Sequence, residues 1–73
     1  MGKRRVVLTN RLRECRAQAG GMTQQQLADL VGVTRQTVNA IEANKYSPSL
    51  EVAFLIARTL DIGIEDVFGV EEG

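Results

Sequence analysis

Histidine and tryptophan are absent from this 73-residue chain, and cysteine and proline occur once each. Without histidine, and with a single thiol, the usual zinc-site spacings cannot be assembled, and no cofactor is expected. One cysteine also excludes an internal disulfide and fits a reducing compartment. The same scarcity argues against an enzyme. There is no base–nucleophile pair and no glycine-rich phosphate loop. No apolar run approaches the roughly 20 residues of a bilayer span. The basic start, "MGKRRVVLTN", has too short an apolar stretch for a signal peptide. A soluble, cytoplasmic chain with no membrane partner is expected.

Net charge is lacking too, since nine Lys and Arg balance nine Asp and Glu. The balance hides an asymmetry. Residues 1–48 hold Lys3, Arg4, Arg5, Arg11, Arg13, Arg16, Arg35 and Lys45 against Glu14, Asp29 and Glu42. Residues 49–73 hold Arg58 against Glu51, Asp61, Glu65, Asp66, Glu71 and Glu72. One half is basic and the other acidic. Where charge sits matters more for a polyanionic partner than its total.

A chain this short makes one domain, residues 1–73. It buries only about 60% of the surface its unfolded form exposes. It needs an efficient core or a partner chain to share one. Its apolar fraction of 44% is ordinary for a folded domain.

The apolar spacing is helical almost throughout. Leu8, Leu12, Cys15 and Ala19 fall on one helix face, with Thr9 or Asn10 as cap and Gly20-Gly21 as stop. Thr23 and Gln26 have capping-box spacing for a second helix, which Gly32 ends. Thr34 caps a third, with Val38 and Ile41 inside. Ser47 before Pro48, or Ser49, caps a fourth carrying Leu50, Ala53, Ile56, Ala57 and Leu60. "IEDVF", residues 64–68, makes a further turn or two. "RVVL" at 5–8 and "VFGVEE" at 67–72 are β-branched or aromatic enough to pair as two short strands. The expected fold is therefore all-α with five helices and a small two-stranded pairing of the chain ends.

Two short capped helices joined by "GVT", residues 32–34, form a helix-turn-helix pattern over about 23–43. At about 100° per residue, the third helix (34–43) has two unlike faces. Val38, Ile41 and Thr34 share one. Arg35, Gln36, Asn39, Ala40 and Ala43 share the other. Gln and Asn can bond adenine in two places, and Arg can bond guanine likewise. Small alanines allow close approach. A solvated polar helix would show similar residues, so the surrounding frame must decide.

That frame resembles the lambda-repressor/Cro-like, XRE-type helix-turn-helix family, most closely its short stand-alone members. The resemblance covers residues 23–68. It rests on Thr23-Gln24, Leu27-Ala28, Val31-Gly32-Val33, Arg35-Gln36-Thr37, Ile41-Glu42, Asn44-Lys45-Tyr46 and Pro48-Ser49-Leu50. It implies a five-helix DNA-binding domain that regulates transcription. It implies base reading by Arg35, Gln36, Asn39 and Ala40, and phosphate contacts from Gln24, Thr34, Thr37, Asn44, Lys45 and Tyr46. Gln24 is also expected to brace the recognition-helix glutamine. Arg16 and Glu42 match an ion pair that joins the first helix to the end of the third. A prokaryotic, nucleoid-associated location follows from the same resemblance.

The sequence departs from the family in three places. Gly20-Gly21-Met22 is one residue longer than usual, which implies a looser turn before the second helix. Leu55 stands where relatives carry a polar residue. Cys15 replaces a leucine and is expected in the core, with a redox switch as the lesser alternative.

Leu55, Ile62, Ile64, Val67, Phe68 and Val70 exceed the needs of so small a core and are expected at a homodimer interface. The expected function is a homodimeric repressor that reads a palindromic operator of double-stranded DNA in the major groove. No small-molecule effector is evident. The competing reading is a protein-interaction module, such as the antitoxin of a toxin–antitoxin pair, docking through Phe54 and Leu55.

Overall fold

Thr23 acts as its spacing predicts. In the computed structural model, which describes residues 5–72, its hydroxyl accepts the Gln26 N–H while the Gln26 side chain accepts the Thr23 N–H. This reciprocal cap opens α2, Gln24–Val31. Gly32 closes it in the left-handed region at φ 86, where a Cβ would be strained. Thr34 then accepts the Thr37 N–H and opens α3, Arg35–Glu42. Ser49, rather than Ser47, caps α4 (Leu50–Thr59), so Pro48 precedes the helix instead of entering its first turn. Asp66 accepts the Gly63 N–H at the start of α5, Ile64–Val67.

The chain ends differ from the simplest helical reading. Leu8 lies in strand β1, Val6–Asn10, not in the first helix. Helix α1 runs from Leu12 to Gln18, with Arg11 at its N-cap and no side-chain cap bond there. Four-residue spacing to Leu12 misplaced Leu8, because a strand also sends alternate residues inward. β1 pairs antiparallel with β2, Phe68–Glu72, in a register that sets Val6 against Glu72 and Asn10 against Phe68. The five helices and the pairing of the ends are both present. Lys3 and Arg4 of the basic half lie outside the described residues.

The core lies between the helices. Leu12, Leu27, Val38, Ile41, Ile56 and Val67 are its largest fully buried side chains. Cys15 joins them, as expected of a core residue. Val67 and Phe68 are corrections to the proposed dimer surface. Their exposures are 1% and 9%, so the monomer's own core absorbs them. The Arg11 N–H bonds the Val67 carbonyl at 2.8 Å and holds α5 against the start of α1. Ile62 and Ile64 are half-buried against the same core. Leu55 and Val70 remain exposed.

Candidate nucleic-acid interface

The outer face of α3 is set by what its inner face buries. Val38 and Ile41 are sealed in the core. Helical geometry then turns Arg35, Gln36 and Asn39 outward, where all three are exposed. Ala40 is half-buried at the edge of that face and Ala43 is exposed.

A polar network fixes the helix from behind. Arg16 of α1 donates from Nε to Glu42 Oε2 at 2.6 Å and from Nη2 to Oε1 at 3.1 Å. Its Nη1 donates to the Met22 carbonyl at 2.6 Å. One planar guanidinium thus ties the end of α3 to the turn before α2, and the fork geometry suits arginine alone. Gly20 and Gly21 adopt φ of 79 and 76, which absorbs the extra residue of that turn. The Met22 N–H also bonds the Arg16 carbonyl, so a turn expected to be loose is tied to Arg16 through both its N–H and its C=O.

Gln24 continues the network. Its Nε2 donates to Glu42 Oε1 at 3.0 Å and to Asn39 Oδ1 at 3.2 Å, and its Oε1 accepts from Arg35 Nη1 at 3.5 Å. The resemblance implied a brace for the recognition-helix glutamine. The side chains it contacts are Asn39 and Arg35 instead, which lie on the same edge of α3 as Glu42.

The other expected contacts divide into occupied and open groups. The Thr34 and Thr37 hydroxyls bond each other at 3.0 Å. Lys45 and Tyr46 project from the loop after α3, and the Lys45 side chain has no hydrogen-bond or ion-pair partner among the described residues. Asn44 in the same loop has a left-handed backbone, at φ 59, and is held by Asn10.

Two residues near this face were not singled out from the sequence. Arg13 shares an open cleft with Gln24, Asn39, Glu42 and Ala43. Its signal was there: it lies three residues before Arg16, on the neighbouring edge of α1. Asn10 gave no such signal, since its expected place was a helix cap.

Burial raises the Cys15 thiol above its ordinary value of 9.0, against a lowering pull from Arg11 and smaller raising effects from Glu14 and Asp66. Among the described residues, no group of three or more His, Cys, Asp and Glu side chains could hold a metal ion. No described helix is long and apolar enough to cross a membrane.

The helix-turn-helix family model matches residues 12–67, which is most of the chain. The chain belongs to the Cro/C1-type helix-turn-helix family of regulators. It is a member of that family rather than an enzyme. Similar proteins include one from Archaeoglobus fulgidus, 49% identical over 84% of this chain and 86% of its own length. YgzD of Bacillus subtilis is 46% identical over 89% of this chain and 97% of its own. A Methanothermobacter thermautotrophicus protein is 55% identical over 71% and 77%. All three are named as uncharacterised HTH-type transcriptional regulators. The fold is also similar to a Bacteroides fragilis crystal structure of a protein named as a candidate for DNA binding. The TM-score is 0.77 at 24% identity, over 85% of this chain and 98% of that one.

Proposed function

We propose that this helix-turn-helix protein is a DNA-binding transcriptional regulator, acting as a homodimeric repressor in the cytoplasm of a prokaryotic cell. One observation carries the reading. Arg16, Glu42 and Gln24 hold α3 and its Asn39 in place, while Arg35, Gln36 and Asn39 are left facing outward. Pre-set donors and acceptors on a helix of this width suit base edges in the major groove. Gln24, Thr34, Thr37, Asn44, Lys45 and Tyr46 flank them and would meet phosphates, which fix register while base contacts choose sequence. Arg13 would add a positive charge beside them.

One domain offers few base contacts. Two copies reading half-sites about one helical turn apart would bind a palindrome. Of the six residues expected at that contact, the exposed Leu55 and Val70 and the half-buried Ile62 and Ile64 remain able to join them. Sedimentation that finds only monomer at tens of micromolar would remove the dimer from this reading. Selection of bound sites from random DNA tests the rest. The wild-type protein should return a palindromic consensus, and Gln36→Ala should relax it at defined positions. An unchanged consensus would overturn the assignment of the reading face.

Phe54 and Leu55 are both exposed on α4, which supports the second reading, a protein-interaction module. A dimer that leaves Phe54 open to solvent would favour it.

A further inference from the structure

Asn10 ends β1, and its side-chain amide is used from both sides. Its Oδ1 accepts the Leu12 N–H at 3.0 Å. A backbone N–H can only donate, so this bond decides which end of the amide is oxygen. Nδ2 therefore faces the other way. It donates to the Ile41 carbonyl at 2.9 Å and to Asn44 Oδ1 at 2.8 Å. The second of these bonds decides the orientation of Asn44 in turn. Its oxygen points at Asn10, so its Nδ2 and both protons point away. No hydrogen bond uses that Nδ2 among the described residues. The loop backbone is fixed as well, by Asn44 N–H to the Ile41 carbonyl at 3.0 Å and Lys45 N–H to the Ala40 carbonyl at 2.9 Å.

An exposed pair of amide donors thus belongs to the residue before Lys45, whose side chain has no partner among the described residues, just past the end of α3. We propose that Asn10 is a positioning residue for phosphate recognition, holding Asn44 with its Nδ2 aimed at a phosphate oxygen of the DNA backbone. This rests on the DNA-binding reading above. The donor is neutral and the acceptor anionic, so the bond is charge-assisted. It neutralises no phosphate and releases no counterion, which separates it from Lys45. Without Asn10, the Asn44 amide is free to turn its oxygen outward, where a phosphate would repel it.

A double-mutant cycle in DNA affinity tests the proposal, using a site recovered by selection. Asn10→Ser keeps a hydroxyl acceptor for the Leu12 N–H but is too short to hold Asn44. Each of Asn10→Ser and Asn44→Ala is expected to weaken binding about 10-fold. The double variant should be no weaker than the poorer single one, and the salt dependence should stay at the wild-type slope. A neutral methylphosphonate scanned along the backbone should weaken the wild-type protein at one position where both variants are indifferent. A purely structural role for Asn10 would not produce that signature. Circular dichroism melts set a temperature at which every variant is folded.

Losses that multiply, an Asn10→Ser protein that binds like wild type, or the absence of a phosphate position where both variants are indifferent would overturn the proposal. If Gln36→Ala still relaxed the consensus, the DNA-binding reading would survive that result. A wild-type protein that selects no DNA would overturn both.

Discussion

Gln24 Nε2 lies 3.2 Å from Asn39 Oδ1, a bond from the first residue of α2 to the outer face of α3. It fixes the Asn39 amide with its oxygen engaged and its nitrogen free to donate. Gln24→Ala should release that side chain. We expect a consensus that loosens beneath Asn39 and Arg35, and a loss of stability in urea of about 2 kcal/mol, because the same substitution removes a hydrogen bond to the nearly buried Glu42 carboxylate. Site selection with the variant, run beside a urea titration, checks both parts. A consensus identical to wild type would mean that Gln24 plays no part in reading.

Arg16 and Glu42 should dominate stability. Their side chains are only 13% and 8% exposed, and removing either leaves the other charged and poorly solvated. Arg16→Ala or Glu42→Ala should each cost about 3 kcal/mol. Arg16→Lys should recover little, because one ammonium cannot serve two carboxylate oxygens and the Met22 carbonyl together. Urea midpoints at constant slope provide the measure.

Lys45 is predicted to act through charge alone. Lys45→Ala should weaken binding to all sequences alike and lower the slope of log affinity against log salt by about 1. Titrations at several salt concentrations would read this directly. A changed consensus would instead place Lys45 among the base-reading residues.

Cys15 gives a pH dependence with a definite sign. Burial holds the folded thiol above its ordinary value of 9.0, so the unfolded chain loses its proton first. Below that value both states are protonated and the thiol leaves stability unchanged with pH. As pH rises past it, ionisation favours the unfolded chain and stability falls until the folded thiol also ionises. Cys15→Ala, compared with wild type in urea from pH 8 upward, should lack this part of the decline. The buried thiol should also resist alkylation at neutral pH until the chain is unfolded.

Much of this could be read directly because it depends on local chemistry. Thr23 with Gln26, Gly32 and Thr34 each satisfy a nearby backbone group, so their spacing alone locates the helix-turn-helix. The two faces of α3 follow from helical periodicity. Depth was harder. Val67 and Phe68 are apolar, and sequence cannot say whether an apolar residue serves its own core or a partner's. Leu8 fits a helix and a strand equally well by spacing. The Asn10 bonds to Ile41 and Asn44 join residues more than thirty positions apart, and no local pattern encodes an amide's orientation at that range.

The pairing of Val6 with Glu72 has a kinetic consequence. It closes a loop of almost the whole chain, the slowest kind of contact to form, whereas α2 and α3 meet across a three-residue turn. The order implied is helices early and strands last. Substitutions in β1 should then accelerate unfolding more than they retard folding. Because Asn10 is the last residue of β1, Asn44 would acquire its final orientation in that closing step, after the recognition helix has formed.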